Sequence, residues 1–377
     1  MEFKLKDLVN IKYGKNQKNV KNPRGKYPIL GTGGIMDYAD DFLYDKPSVL
    51  IGRKGSIGKV KYIEEPFWTI DTLFYTIVNE NLVIPKYLYY KLSQIDFNYY
   101  NEGTTIPSLR TETLYKIDID LPKKNIQKKV VNLLNTIDEK IENNQKIIAN
   151  LEKLSQTLFK RWFVDFEFPD ENGNPYKSSG GEMIDSELGE IPSGWKVDEL
   201  GNYIKIKSGK RPKNKVDKKD IENVVPIIGA SKIMGYTNDY LYNEKIIIIG
   251  RVGTHGVIQR FSTRTWPSDN TFVIISDFES IIYQVLKSID YISLNRGSTQ
   301  PLLSQKDIKN TKVAMPTNET LLSTYQKENN HILKMMDQKN IENQKLTQLR
   351  DTLLPKLMSG EIEIPDDIEV NNDELSI

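Results

Sequence analysis

Apolar residues in this chain follow two rhythms that take turns along its length. Residues 1–122 and 196–316 read as short β-branched and aromatic runs broken by Gly, Pro and Asn, as in "KVKYIEEPFWTIDTLFYTI", the texture of strands joined by turns. Each region also holds one short helical segment, "PKYLYYKLSQI" or "FESIIYQVLKSI", and closes in a strand ending at Pro122 or Pro316. That pattern predicts an α+β domain of mostly β content, present twice.

After each proline the period lengthens. Ile126, Val130, Leu133, Ile137, Ile141, Ile148, Leu151, Leu154 and Leu158 recur at steps of three or four once Asn144 is included, which predicts a long amphipathic helix with a coiled-coil-like seam. Leu322, Tyr325, Ile332, Met336, Leu346, Leu349 and Leu353 repeat the theme, with Asn343 where Asn144 stands. Each arm of about 40 residues would be about 60 Å long. One apolar stripe on so long a helix needs a partner, and the economical one is the other arm, antiparallel. The expected fold is therefore α+β, two tandem mostly β domains separated by two long helical arms that pack as an antiparallel coiled coil. Its parts are a first domain at 1–122, an arm at 123–165, a linker at 166–195, a second domain at 196–316, an arm at 317–360 and a tail at 361–377.

The two halves are one unit duplicated. "YPILGTGGIMDY" (27–38) matches "VPIIGASKIMGY" (225–236), and Trp68 with Asp71 matches Trp266 with Asp269, all at an offset of 198. "EGTTIPSL" (102–109) matches "RGSTQPLL" (296–303) at an offset of 194. Between Asn144/Asn343 and Thr157/Thr352 the offset falls from 199 to 195, which gives the first arm four extra residues, one turn. Deleting residues 147–150 would then draw the domains together by about 5.4 Å.

The repeat also duplicates a glycine loop, "IGRKGSIG" (51–58) and "IGRVGTHG" (249–256). Neither copy is a phosphate-cradling loop, because Val60 stands where a Ser or Thr should follow Gly58-Lys59, and Val257 stands where the lysine should be. Gly52, Gly55 and Gly58 are expected to serve a turn, by positive φ or close backbone approach. Composition excludes more than it suggests. There is no cysteine, hence no disulfide framework or thiolate chemistry, and no apolar run reaches the ~18 residues of a membrane span. The N-terminus lacks a signal-peptide core, and the chain is expected in the cytoplasm. His255 and His331 are not in metal-ligand spacing; "NPY" at 174–176 and "PDE" at 169–171 lack the partners of methylase and nuclease motifs. No catalytic and no metal-binding residues are expected.

Net charge is only +1, yet the basic residues are clustered: six and no acid in 12–26, eight and one acid in 205–219. Basic loops at equivalent places in a repeat point to a shared polyanion. Candidate phosphate contacts are Lys15, Lys18, Lys21, Arg24 and Lys54, then Lys207, Lys210, Arg211 and Lys213. Arg53 and Arg251 could contact phosphate or satisfy buried carbonyls. Small hydroxyl residues beside glycine, Thr104, Thr105, Ser298 and Thr299, are candidates near the bases. Two modules with basic loops on a rigid spacer suggest a device that measures DNA.

The central block "QTLFKRWFVDFEFPDENGNPYKSSGGEMIDSELGEIPSGWKVDELG" (156–201), the terminal block "LRDTLLPKLMSGEIEI" (349–364) and the duplicated Ile-Gly-Arg-x-Gly-x-x-Gly loop together resemble the specificity (S) subunit of type I restriction-modification systems, over essentially the whole chain. The resemblance implies two target-recognition domains, each reading half of a bipartite double-stranded DNA site. It also implies helices that hold two modification subunits, which methylate adenine with S-adenosylmethionine, and restriction subunits that cleave with ATP and Mg. No cofactor then belongs to this chain. Phe159, Trp162, Phe163, Leu354, Leu357 and Met358 are expected as an exposed cluster for the partner, the alternative being packing onto the adjacent domain. A different class of reading is a coiled-coil scaffold whose ends bind protein; within the family, a fused nuclease-methylase is an alternative partner.

Overall fold

The computed structural model describes residues 1–252, 256–296 and 302–365. It divides into two compact units: 1–143 with 342–377, and 144–341. Each helical arm therefore contributes to both, and the boundary falls inside the arms.

The first unit contains β1 (Glu2–Lys4), α1 (Leu5–Leu8), β2 (Val9–Tyr13), β3 (Tyr27–Gly31), β4 (Gly34–Ala39), β5 (Ser48–Gly52), β6 (Val60–Ile63), β7 (Trp68–Thr69), β8 (Leu73–Val78), α2 (Pro85–Leu92), α3 (Thr111–Leu114), β9 (Asp118–Asp120) and the first half of α4 (Lys124–Phe163). Its main sheet is antiparallel in the order β2-β8-β5-β6, and a smaller one runs β4-β3-β7 with β3 and β7 parallel. All five residues of β5, "SVLIG", are buried because both its faces are covered. Val49 and Ile51 face a core shared with α1, α2 and the helical arms, while Leu50 faces Leu30 and Phe67 of the other layer. Such burial stabilises by roughly 1.5–3 kcal/mol per large aliphatic side chain.

The second unit opens with the rest of α4 and two short strands, β10 (Met183–Ile184) and β11 (Ile191–Pro192). Then come β12 (Trp195–Glu199), β13 (Lys205–Ser208), β14 (Val225–Ile228), β15 (Ile233–Thr237), β16 (Ile246–Gly250), β17 (Ile258–Phe261), β18 (Trp266–Pro267), β19 (Thr271–Ile275), α5 (Glu279–Ser288), α6 (Gln305–Asn310), β20 (Lys312–Pro316) and the first part of α7 (Glu319–Ser359). The order β13-β19-β16-β17 with β15-β14-β18 reproduces the first unit strand for strand. Residues 166–195 are no bare linker: Phe166, Phe168 and Trp195 are buried in this unit's core, with the Phe168 and Trp195 rings stacked at 5.5 Å.

Within each unit the two helical segments run antiparallel. Arg350 meets Asp138 at 3.1 Å and Lys140 meets Glu342 at 3.8 Å in the first, so as one number rises the other falls. In the second, Ser155 donates to Asn329 at 2.7 Å and the Trp162 and Tyr325 rings lie 5.5 Å apart. The seam differs in detail from the apolar spacing. Ile126, Leu154 and Leu349 are exposed, while Leu134, Gln127 and Ser155 are buried. The arms also match in length to within one residue. α4 has 40 residues and α7 has 41, and they start at an offset of 195 and end at 196, so the four-residue insertion does not exist. Asn144 and Asn343 match in letter but not in helical register.

Both halves of the expected partner cluster prove to be buried. Phe159, Trp162 and Phe163 are 4–8% exposed and pack on Trp195 and Tyr325 within the second unit. Leu354, Leu357 and Met358 are 5–9% exposed and fill the first unit's core. The six residues are internal, because aromatic and aliphatic groups of the adjoining domain cover them.

Candidate nucleic-acid interface

In the antiparallel main sheet of the first unit, β2 and β5 end where β8 and β6 begin. Tyr13 is registered on Phe74, Gly52 on Leu73 and Ile51 on Val60. The loops that leave this edge are the basic loop 14–26, the glycine loop 53–59 and the 70–72 turn. In the second unit Ser208, Gly250, Ile258 and Thr271 converge likewise.

The start of each basic loop is fixed by a tryptophan. The Trp68 indole donates to the Lys15 carbonyl at 3.0 Å, and the Lys15 N–H donates to the Thr69 carbonyl at 2.8 Å. Trp266 and Lys210 repeat the first contact at 2.8 Å, and the Lys210 N–H reaches the Pro267 carbonyl at 3.0 Å. The residue before each lysine must be glycine. A Cβ on Gly14 would lie 2.0 Å from the Ile70 oxygen, and one on Gly209 would lie 2.1 Å from the Ser268 oxygen.

Lys15, Lys18 and Arg24 are exposed, as are Lys207 on β13 and Lys210, Arg211 and Lys213 beyond it; among the described residues none pairs with their charged groups. Lys21 differs: its ammonium is bonded to Asp37, whose carboxyl it holds below the usual range. The basic loop then runs beside β4, where the Asn22 N–H donates to the Tyr38 carbonyl at 2.9 Å and the Asp40 N–H to the Val20 carbonyl at 3.2 Å.

The glycine loop and the threonine loop are stitched together. The Leu109 N–H donates to the Arg53 carbonyl and the Gly55 N–H to the Pro107 carbonyl, both at 2.9 Å, and Lys54 is bridged to Ser108. Thr104 and Thr105 stand exposed on the loop so anchored. Gly55 and Gly58 have φ of 73° and 70°, and a Cβ on Gly52 would meet the Ser56 oxygen at 2.2 Å, so these glycines serve the turn. The Arg53 guanidinium donates to the exposed Asp71 carbonyl at 2.9 Å and lies 4.8 Å from the centre of the Tyr13 ring. Arg251 lies 5.8 Å from the Phe272 ring centre, and its carbonyl accepts from the Leu303 N–H at 3.0 Å. Ser298, Thr299 and His255 lie outside the described residues.

Two features are not evident from the sequence pattern alone. The loop-anchoring role of Trp68 and Trp266 is signalled only by their match at an offset of 198 together with the paired Gly-Lys at 14–15 and 209–210. The other is the β3–β4 hairpin and its copy, whose exposed Ile-Met tips lie inside the same matched segments. Beside that first tip, burial, with the neighbouring Lys59, pushes the Lys61 ammonium pKa down. Among the described residues no cluster of three metal-ligating side chains occurs, and no helix is long and apolar enough to cross a membrane.

The chain is similar to several known proteins. The Type I restriction enzyme MjaIX specificity subunit of Methanocaldococcus jannaschii is 27% identical, over 95% of this chain and 86% of its own. The Type I restriction enzyme HindI specificity subunit of Haemophilus influenzae is 24% identical, over 78% and 81%. The crystal structure of a Type-I restriction-modification system S subunit from M. genitalium shares the fold at a TM-score of 0.62 and 23% identity, covering 98% of this chain and 96% of that one. The model of the Type I restriction modification DNA specificity domain matches twice, at residues 1–153 and 192–351, and the chain belongs to that family.

Proposed function

We propose that this chain is the DNA-reading, non-catalytic subunit of a type I restriction-modification complex, with each unit recognising one half of a bipartite duplex site. The observation that carries the reading is the duplicated sheet edge, where a tryptophan-anchored basic loop stands in both units, beside a stitched glycine–threonine loop in the first. Exposed, unpaired lysines and arginines suit phosphates, and the hydroxyls of Thr104 and Thr105 suit base edges. Methylation with S-adenosylmethionine and ATP- and Mg-dependent cleavage belong on this reading to partner subunits in the cytoplasm, with two modification subunits per chain, one for each repeat. With the six aromatic and aliphatic residues buried, the apolar surface left for those partners on the helices includes Ile147, Leu154 and Leu349, which are 38–53% exposed.

Salt dependence tests the phosphate assignment. Replacing Lys18 and Arg24 together by alanine should lower the slope of log affinity against log salt by about 0.9 for each phosphate no longer neutralised, with the selected sequence unchanged. Lys21→Ala, which releases Asp37 as well, should alter the slope differently from Lys18→Ala. A changed recognition sequence at an unchanged slope would refute the assignment.

A further inference from the structure

The β3–β4 hairpin and the β14–β15 hairpin carry the same two side chains where the second strand leaves the turn, at an offset of 198: Ile35-Met36 and Ile233-Met234. Around them the repeat has diverged: Thr32-Gly33-Gly34 faces Ala230-Ser231-Lys232, and Asp37 faces Gly235. Yet all four apolar side chains remain in water, Ile35 and Met36 at 58% and 57% exposure, Ile233 and Met234 at 43% and 40%. A lone exposed aliphatic group needs no explanation, but the same pair at the same hairpin tip in two diverged copies does.

Three observations fix what the tips meet. They lie at the loop-bearing edge: the Ile70 N–H donates to the Leu30 carbonyl at 3.1 Å, next to Asp71, whose carbonyl takes Arg53, and the Ser268 N–H repeats this to Ile228 at 2.9 Å. Lysines stand beside them. The Lys61 ammonium lies 3.7 Å from where a Cβ on Gly34 would stand, Lys59 is two residues away on the same strand edge, and in the second unit Lys232 is at the tip with the Lys215 stem against Gly235. Of the acids that follow the first tip along the chain, Asp37 is engaged by Lys21 and Asp40 by Asn22, while at the second tip Lys215 is paired with Asp217 at 3.4 Å. An apolar tip beside lysines fits a polyanion with apolar groups at the floor of a groove. In duplex DNA that is the major groove, where the thymine methyl lies. Two strands about 4.8 Å apart with their side chains enter a groove about 12 Å wide and not the minor groove of about 6 Å.

We propose that each hairpin enters the major groove of its half-site and that Ile35-Met36 and Ile233-Met234 contact thymine C5-methyl groups there. This rests on the DNA-reading role above and names the side chains that do part of the reading. The test uses the full chain in complex with its modification subunits, selecting bound duplexes from a random library and then measuring affinity for the selected site. The wild-type complex should lose about fourfold in affinity for each contacted thymine replaced by deoxyuridine. The double variant Ile35→Ser/Met36→Ser should be indifferent to those replacements, should relax its thymine preference in one half-site only, and should keep the wild-type salt slope. The unaltered reading of the other half-site reports that the variant is folded. The proposal falls if the variant selects the wild-type motif, or if no thymine-to-deoxyuridine replacement weakens the wild type. A wild-type complex that selects no motif at all would instead overturn the DNA-reading role itself.

Discussion

Trp68 and Trp266 hold the carbonyl of the lysine near the start of each basic loop, so at the scale of single residues the loop's position rests in part on one indole N–H. Each ring is nearly buried, at 8% and 6% exposure, and a smaller side chain would leave a cavity as well as remove a bond. Phenylalanine separates the two effects, since it keeps most of the ring and removes only the donor. Trp68→Phe should cost about 1 kcal/mol of stability through the Lys15 carbonyl left short of its partner. It should also weaken binding at the first half-site while leaving the second untouched. Chemical unfolding and binding to duplexes with either half-site scrambled would check both, and equal weakening at the two half-sites would contradict the local role. Arg53 teaches a related point. Its guanidinium is placed by the Asp71 carbonyl and the Tyr13 ring, partners that come from residues 18 and 40 positions away, which the sequence of the glycine loop alone does not reveal.

At the scale of elements, periodicity located both long helices and the strands before them, β20 ending at Pro316 as expected and β9 at Asp120, short of Pro122, because a 3.6-residue rhythm and a 2-residue rhythm are local properties of the chain. Which side chains the helices bury is not local. Leu154 keeps the seam spacing but is 53% exposed, whereas Ser155 beside it is fully buried because Gln284 of α5 and Asn329 of α7 both bond its hydroxyl. Phe159, Trp162 and Phe163 were legible as apolar and misplaced as surface, since the rings that cover them, Trp195 and Tyr325, lie 32 or more residues onward. The loops behaved the other way: their basic residues were legible from composition, while their anchors appeared only as a pair of matching letters. One helix contact carries a pH dependence. Burial works to raise the Glu152 carboxyl, but Lys287, Gln156 and Tyr283 outweigh it and hold the group below its ordinary 4.5. A depressed carboxylate contributes stability that is present above the unfolded value and lost as pH falls through it toward the folded one. Glu152→Gln should therefore destabilise at pH 7 and do so less at pH 3. Urea midpoints of the two proteins that differ equally at both values would show that the charge is not what Glu152 contributes.

At the scale of the whole molecule, the two units are not equivalent pieces of chain. The second, 144–341, is continuous; the first joins 1–143 to a segment from 342 onward, so its core closes only when the C-terminal half of α7 returns to it. That half brings Leu354, Leu357 and Met358 into the buried cluster that also holds Leu5, Tyr87 and Leu88, and the Lys91 ammonium bonds the Met358 carbonyl at 3.0 Å. Three such side chains amount to roughly 5–9 kcal/mol of burial, comparable to the 5–15 kcal/mol by which a whole domain is typically stable. A chain ending at residue 341 should thus lose the first unit and keep the second. Hydrogen exchange should show protection gone from β5 and β8 and retained in β16 and β19. Supplying residues 342–365 as a separate peptide should restore protection to β5 and β8 in a concentration-dependent way, because the returning segment then binds only the folded form. Protection of β5 that survives truncation, or that the peptide cannot restore, would mean that the first unit is held by residues 1–143 alone and that the returning helix is an ornament on a finished core.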